Sequence, residues 1–218
     1  LHFGYPPLLA RTYADEGAEL EAIFRVAKAA GATTSLDLVY TDPDSPAGRA
    51  DWPAILARTL PHVDVFTPSV EELLFMLRRE TFDQLSRRAG ERELLTQVTG
   101  ELLRDLGAAC LDAGAGVTLI KCGVQGMYLR TAPAERLEQF GRAKCAGDDW
   151  TRRELFVPAY CAERVASGTG AGDCAIAGFL AAQLRGKGVA DALRIAAAVG
   201  GQNVTAPDAV SGVRPWAE

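Results

Sequence analysis

Short apolar runs alternate along the chain with longer stretches in which apolar residues recur every three or four positions. The short runs predict strands over residues 1–4, 33–40, 64–67 and 117–122. The longer stretches predict helices over residues 16–30, 52–60, 94–113 and 192–204, and the small apolar residues after residue 173 predict one more. Such an alternation predicts an α/β fold, with a mostly parallel sheet covered by helices on both faces.

Three further segments complete this pattern. Residues 127–130 are expected to return beside the strand at 117–122, and residues 155–160 to form another strand. Residues 134–153 are polar and irregular, so we expect them to form an excursion on the surface. Because no repeat or linker divides the sequence, we predict one domain over residues 1–218.

Composition excludes several classes of function. The chain has 218 residues, of which 48% are hydrophobic and 23% charged, and these are ordinary globular values. Its net charge of −5 provides no basic surface for nucleic acid or anionic lipid. Five cysteines without a C-x-x-C pattern, and only two histidines, argue against a disulfide framework or a zinc site. The longest apolar run is shorter than the roughly 20 residues that span a bilayer. We therefore expect a cytoplasmic protein without membrane or nucleic-acid partners.

The stretch Ser167–Asp173 carries the clearest chemical signal, because it contains three glycines within five residues. Small apolar residues follow it and predict a buried helix. The glycines then lie at a helix N-terminus, where unpaired N–H groups and the helix dipole bind anions. We expect the amides of Gly170, Ala171 and Gly172 to form an anion hole for a phosphate. The alternative is a glycine turn that merely starts the helix.

Asp173 falls in the first turn of this helix, beside the predicted anion hole. A carboxylate there repels a phosphate, but it accepts a proton from a hydroxyl that attacks the phosphate. We therefore predict that Asp173 is the catalytic base of a kinase. Rival motifs fail on spacing: no Gly-Lys-Ser/Thr triplet occurs, Asp173 replaces the last glycine of G-x-G-x-x-G, and no histidine follows His62.

Three motifs occur in an order that resembles the ribokinase-like (PfkB-type) carbohydrate kinases. Segments of that family are similar to three stretches of this chain: Gly-Ala-Gly-Asp at 170–173 with Gly-Phe at 178–179, Lys-Cys-Gly-Val-Gln-Gly at 121–126, and Pro-Ser-Val-Glu-Glu-Leu at 68–73. The resemblance covers roughly residues 60 to 205 and implies a three-layer α/β/α fold. It also implies ATP-dependent phosphorylation of an alcohol on a small molecule, with Asp173 as the base. A sugar is the expected acceptor.

The same resemblance assigns further residues and cofactors. It implies that ATP binds at Lys121, Gly123, Gly126 and Ala197, and that Mg²⁺ is held through water near Glu72. Family members also carry a first portion with the lid and much of the sugar site. Because the chain starts at once with an apparent strand, we expect it to be N-terminally incomplete, with the lid portion absent. A homodimer of the full-length protein is left open.

The chain departs from the family pattern at several positions. Ser69 replaces an asparagine of the motif that the family links to metal and phosphate. Ser167 replaces an aspartate that helps to bind a monovalent cation in some members, and this second replacement argues against potassium dependence. Lys121 replaces a threonine, and it either reaches a phosphate or is a surface charge at a strand end. Glu72 has two candidate roles, near magnesium or as the capping-box partner of Ser69. For Asp37, we expect a solvated aspartate in a loop rather than a group that faces the substrate.

Two other functions remain open from the sequence. One is a nucleoside or vitamin-precursor kinase of the same fold. The other is a catalytically silent relative that binds nucleotide, which the two serine departures favour. Asp173 argues for an active enzyme, because a silent relative has no use for a base at this position.

Overall fold

A six-stranded sheet forms the centre of the fold, with its strands in chain order from one edge to the other. The computed structural model describes residues 1–89, 94–145 and 148–216. The strands are β1 (His2–Phe3), β2 (Ser35–Leu36), β3 (Val65–Phe66), β4 (Val117–Lys121), β5 (Gly126–Thr131) and β6 (Glu154–Pro158). The first four strands are parallel, and β5 and β6 are antiparallel to their neighbours. The predicted mostly parallel sheet is confirmed.

Helices connect and cover these strands. They are α1 (Ala10–Tyr13), α2 (Ala18–Ala29), α3 (Trp52–Thr59), α4 (Val70–Leu77), α5 (Arg79–Ala89), α6 (Gly100–Asp112), α7 (Ala134–Leu137), α8 (Ala171–Leu184) and α9 (Val189–Asn203). Within the described ranges, none of them is both long and apolar enough to cross a membrane.

Each face of the sheet carries its own hydrophobic core. Successive strand residues point to opposite faces, so Val65 packs into one core and Phe66 into the other. Phe66 packs with residues of α2, α3, α4 and α6. Val65 packs with residues of α8 and α9. This arrangement confirms the predicted α/β/α layers, and each fully buried large apolar side chain contributes about 1.5–3 kcal/mol.

Two predicted elements are shorter in the structure. Of residues 33–40, only Ser35 and Leu36 pair as a strand, between β1 and β3. The predicted helix over 94–113 is a 3₁₀ turn at Leu94–Gln97 followed by α6. The break occurs at Thr99, whose side chain accepts a hydrogen bond from the amide of Leu102 at 3.2 Å and so caps α6.

The predicted surface excursion over residues 134–153 is confirmed for most of the described positions, but three of its side chains enter the core; residues 146 and 147 lie outside the described part. Leu137 and Phe140 are buried, and Trp150 is completely buried. The ring of Trp150 contacts that of Phe179 edge-on, with centroids 5.9 Å apart. These apolar residues are isolated among polar ones, so they show neither helical nor strand periodicity, yet they cover the end of the core beside α8.

Candidate functional site

The glycine loop ends at Gly170, which is the N-cap of α8 and has φ of 76°. This left-handed conformation suits glycine. A side chain would also collide with the segment that follows α9, because a Cβ at this position would lie 2.5 Å from the carbonyl oxygen of Ala209. The backbone hydrogen bonds of α8 begin at Gly170, because its carbonyl accepts from the amide of Cys174 at 2.8 Å. The loop is thus fixed, and it presents the start of α8.

The first turn of α8 leaves backbone donors for a ligand. The amide of Ala171 donates to the carbonyl of Gly168 at 3.2 Å, whereas no described residue accepts from the amides of Gly172 and Asp173. Unpaired amides at the positive end of a 14-residue helix favour an anion. The predicted anion-hole residues Gly170, Ala171 and Gly172 therefore lie in one turn, and Ala171 already has an internal acceptor.

Asp173 is exposed in this same turn and receives a hydrogen bond from the phenolic hydroxyl of Tyr5. Tyr5 follows β1 and has φ of 63°, an uncommon conformation for a residue with a side chain. Burial raises the pKa of Tyr5, and its hydrogen bond to Asp173 raises it further. The hydroxyl therefore stays protonated and donates, which leaves the second carboxylate oxygen of Asp173 for another partner.

Asp37 lies directly after β2, and the expectation that it is solvated is wrong. Its side chain is 2% exposed, and its Oδ1 lies 2.6 Å from Nζ of Lys121 at the end of β4. Burial raises the pKa of Asp37 to about 7, even though the Lys121 ammonium opposes the shift. Because the side chain of Lys121 is only 13% exposed, the interpretation of this lysine as a surface charge is also wrong.

Glu72 forms the capping box of α4 with Ser69. The amide of Ser69 donates to Oε2 of Glu72 at 2.6 Å, and the amide of Glu72 donates to the hydroxyl of Ser69 at 3.3 Å. The capping role is confirmed. The Glu72 carboxylate also contributes to the raised pKa values of Tyr5 and Asp37, so it lies close to both. Its magnesium role stays a prediction.

A cavity of about 490 Å³ opens beside the start of α8. This volume is within the range of small-molecule sites. All four residues predicted to bind ATP line it, together with two of the three anion-hole residues: Lys121, Gly123, Gly126, Ala197, Ala171 and Gly172. Much of the remaining lining is apolar. A larger cavity of about 650 Å³, lined by parts of residues 43–53 and 75–81, contains none of the predicted site residues.

Two residues of this site are missing from the sequence predictions. Tyr5 contacts Asp173 although 168 positions separate them. Asn203, at the end of α9, donates from Nδ2 to the carbonyl of Thr169 at 2.8 Å and so ties the glycine loop to α9. The side chain of Asn203 is fully buried. A polar residue at the end of an alanine-rich helix was the available signal for it; for Tyr5 the sequence offered none.

Comparisons with known proteins support a single family. The model of the "pfkB family carbohydrate kinase" matches residues 12–216. A comparison with curated protein sequences gave no match.

Several solved structures share the fold. Arabidopsis thaliana ribokinase, complexed with ribose and ATP, is 22% identical, with a TM-score of 0.59; the match covers 91% of this chain and 49% of that one. Aminoimidazole riboside kinase from Salmonella enterica, complexed with aminoimidazole riboside and an ATP analogue, is 21% identical, with a TM-score of 0.58 and coverage of 98% and 58%. A putative ribokinase II from E. coli, in complex with ATP and Mg²⁺, is 21% identical, with a TM-score of 0.59 and coverage of 98% and 55%.

The chain spans about half the length of these three structures. At such identities the likeness shows the fold alone. The family model, in contrast, matches nearly the whole chain. The chain therefore belongs to the pfkB family of carbohydrate kinases.

Proposed function

We propose that the protein containing this chain is an ATP-dependent kinase that phosphorylates a hydroxyl group of a small molecule, most simply a sugar. The observation that carries the proposal is the first turn of α8, where the exposed carboxylate of Asp173 adjoins amides that no described residue accepts from. One turn thus offers both an anion site and a base. Phosphoryl transfer needs an anion site for the phosphate and, beside it, a base for the hydroxyl that attacks the phosphate.

The cavity beside this turn is the proposed site of the nucleotide. Its glycines let the ligand approach the backbone, and its apolar lining suits a purine ring. Lys121 and Gly172 line the cavity where it meets the start of α8. The triphosphate is therefore directed toward the helix N-terminus, which the helix dipole favours.

In the proposed reaction, a carboxylate oxygen of Asp173 takes the proton of the acceptor hydroxyl while the hydroxyl oxygen attacks the γ-phosphorus. The bond between that phosphorus and the bridging oxygen of ADP breaks, so the products are a phosphate ester and ADP. The amides of Gly172 and Asp173 face the charge that develops on the transferred group. The hydroxyl of Tyr5 donates a hydrogen bond to Oδ1 of Asp173, so the other carboxylate oxygen of Asp173 is available to the acceptor.

Magnesium enters as part of the nucleotide substrate. Within the described residues, no group of three or more His, Cys, Asp or Glu side chains is arranged to hold a metal ion. Mg²⁺ prefers oxygen ligands and keeps several waters, so a nucleotide phosphate with one nearby carboxylate is sufficient. Glu72 fits this role through water, because only its Oε2 is used in the capping box.

The acceptor is proposed at the level of class. The Arabidopsis structure contains ribose and the Salmonella structure contains a riboside. These two ligands support a pentose or a pentose-bearing nucleoside as the acceptor. A nucleoside kinase is therefore the second candidate.

The test is turnover by the full-length protein with Mg²⁺-ATP over a panel of sugars and nucleosides, in the wild type and in Asp173→Asn. We expect the variant to lose well over tenfold in kcat while its affinity for ATP is retained. Asp191→Asn is the matched control, because Asp191 lies in the first turn of α9 and is exposed. A loss below about tenfold, worth ~1.4 kcal/mol of barrier, would refute Asp173 as the base. ATP binding without turnover of any acceptor would indicate a silent relative.

A further inference from the structure

A buried ion pair adjoins the proposed nucleotide cavity. Lys121 and Asp37 are 2.6 Å apart, at the ends of β4 and β2. Because β3 lies between these two strands, the lysine side chain crosses the end of β3 to reach Asp37. Asp37 is itself fixed from the backbone, since its carbonyl accepts from the amide of Tyr5 at 3.3 Å and its amide donates to Phe3 at 3.0 Å. The pair is thus built into the sheet.

The same lysine lies against the first turn of α8. A Cβ on Gly172 would lie 3.5 Å from Cδ of Lys121 and 3.8 Å from its Nζ. An ammonium has three N–H donors, and among the described residues Asp37 alone accepts one of them. Lys121 therefore lies between a buried carboxylate and the open amides of α8, with donors left for a ligand.

Fold stability does not account for this pair. Burying both charges costs about as much as their attraction returns, and the raised pKa of Asp37 reflects that cost. The surroundings are also acidic, because Glu72 and Asp173 both act on the neighbouring Tyr5. A triphosphate that binds here is repelled by several negative charges, so a fixed cation beside Gly172 reduces this electrostatic repulsion.

We propose that the Lys121 ammonium is a fixed counter-ion for the γ-phosphoryl group and that Asp37 is the positioning residue that holds the ammonium above Gly172. The γ-phosphoryl is the group concerned because Gly172 directly precedes the proposed base, Asp173. This inference rests on the proposed kinase function and deepens it. It assigns a role to the position where the chain has lysine in place of the family's threonine.

The test compares nucleotides that differ in their phosphates. In the full-length protein without divalent metal, titration calorimetry gives the affinities for ATP, ADP and adenosine. For Lys121→Met we expect the affinity for ATP to fall at least tenfold, while that for adenosine changes less than threefold. Lys121→Arg, which keeps the charge, should recover most of the affinity for ATP.

The double variant Asp37→Asn with Lys121→Met separates this role from a structural one. Lys121→Met alone leaves a buried carboxylate without its partner and lowers the Tm, whereas the double variant removes both charges and should recover the Tm. If the inference is right, its affinity for ATP stays at least tenfold below that of the wild type. If that affinity returns to the wild-type value with the Tm, the pair is structural and the inference is overturned.

Asp37→Asn alone tests the positioning role. The amine then keeps its charge but loses the carboxylate that holds it, so kcat should fall at least fivefold while the affinity for ATP holds or rises. An unchanged kcat would overturn the role of Asp37. A wild-type protein that binds neither adenosine nor ATP would instead overturn the proposed function, and this inference with it.

Discussion

The hydroxyl of Tyr5 and the carboxylate of Asp173 form a hydrogen bond that joins the end of β1 to the start of α8. The two residues are 168 positions apart in the chain. Tyr5 is held in a left-handed conformation, and the buried prolines Pro6 and Pro7 follow it. The rigid segment after β1 thus sets the orientation of the proposed base.

Tyr5→Phe should lower kcat about tenfold or more, because a hydrogen bond to a charged group is worth about 1.5–3 kcal/mol. The KM for ATP should not change, since the cavity lining, within the described residues, does not include Tyr5. Steady-state kinetics of the full-length protein measure both values. Tyr13→Phe, half-buried and packed on the core, is the control. Equal kcat values for Tyr5→Phe and the wild type would contradict the orienting role.

Gly170→Ala should mainly lower stability, whereas Gly172→Ala should mainly lower kcat. At Gly170 a methyl group is strained by a φ of 76° and meets the carbonyl of Ala209, so the free energy of unfolding should fall by about 1 kcal/mol or more. At Gly172 a methyl group makes only ordinary contact with Lys121, so stability should hold while kcat falls. Thermal unfolding and kinetics together separate the two variants. A Gly172→Ala protein that keeps full activity would show that no phosphate approaches there.

Asn203→Ala should loosen the glycine loop. The lost hydrogen bond to Thr169 should lower the free energy of unfolding by about 1 kcal/mol. The loss is small because the substitution also removes the buried Oδ1 of Asn203, which has no partner among the described residues. The affinity for ATP should weaken with stability, because the loop leads directly into the amides of α8. Gln202→Ala, one position earlier and half-buried, is the control. A stability loss without weaker ATP binding would separate the loop from the nucleotide site.

The stability of the protein should depend on pH through Asp37. Its pKa is about 7 in the folded state against an ordinary value of 3.8, so between pH 4 and 7 the folded chain keeps a proton that the unfolded chain has lost. The free energy of unfolding therefore decreases as pH rises through this window, by at most about 1.4 kcal/mol per pH unit. Asp37→Asn removes this contribution, so its stability relative to the wild type should rise from pH 4 to 7 and then stay level.

Asp208→Asn provides a control of opposite sign for this measurement. Hydrogen bonds from Ser211 lower the pKa of Asp208 to about 2. Its contribution to stability is therefore present above pH 4 and is lost as pH falls toward 2. Denaturant titrations at several pH values compare the three proteins. A stability difference between Asp37→Asn and the wild type that is constant from pH 4 to 7 would contradict the assignment to Asp37.

Local patterns predicted the sheet, most helices and the place of the glycine loop at a helix N-terminus. The run at β4 and the glycines before Asp173 are signals carried by neighbouring residues, so they can be read without the fold. The expectation for Asp37 fails because the partner of its carboxylate, Lys121, is 84 positions away in the chain. Trp150 was missed for the same reason, since the core that buries it belongs to α8. Contacts between distant segments leave no periodicity in the sequence.

The pairing of β2 has a further consequence, for folding. This strand is only two residues long, and its alignment is set by His2 opposite Ser35 and by Ser35 opposite Val65. Because side chains alternate between the faces of a sheet, a slip of one residue would reverse the direction of Asp37 and take it away from Lys121. The ion pair and the Tyr5–Asp173 hydrogen bond both join segments that are far apart in the chain, 84 and 168 positions, so each depends on the correct pairing of those segments. The proposed site therefore requires the fully registered sheet, and a compact state with correct helices but a shifted β2 would lack it.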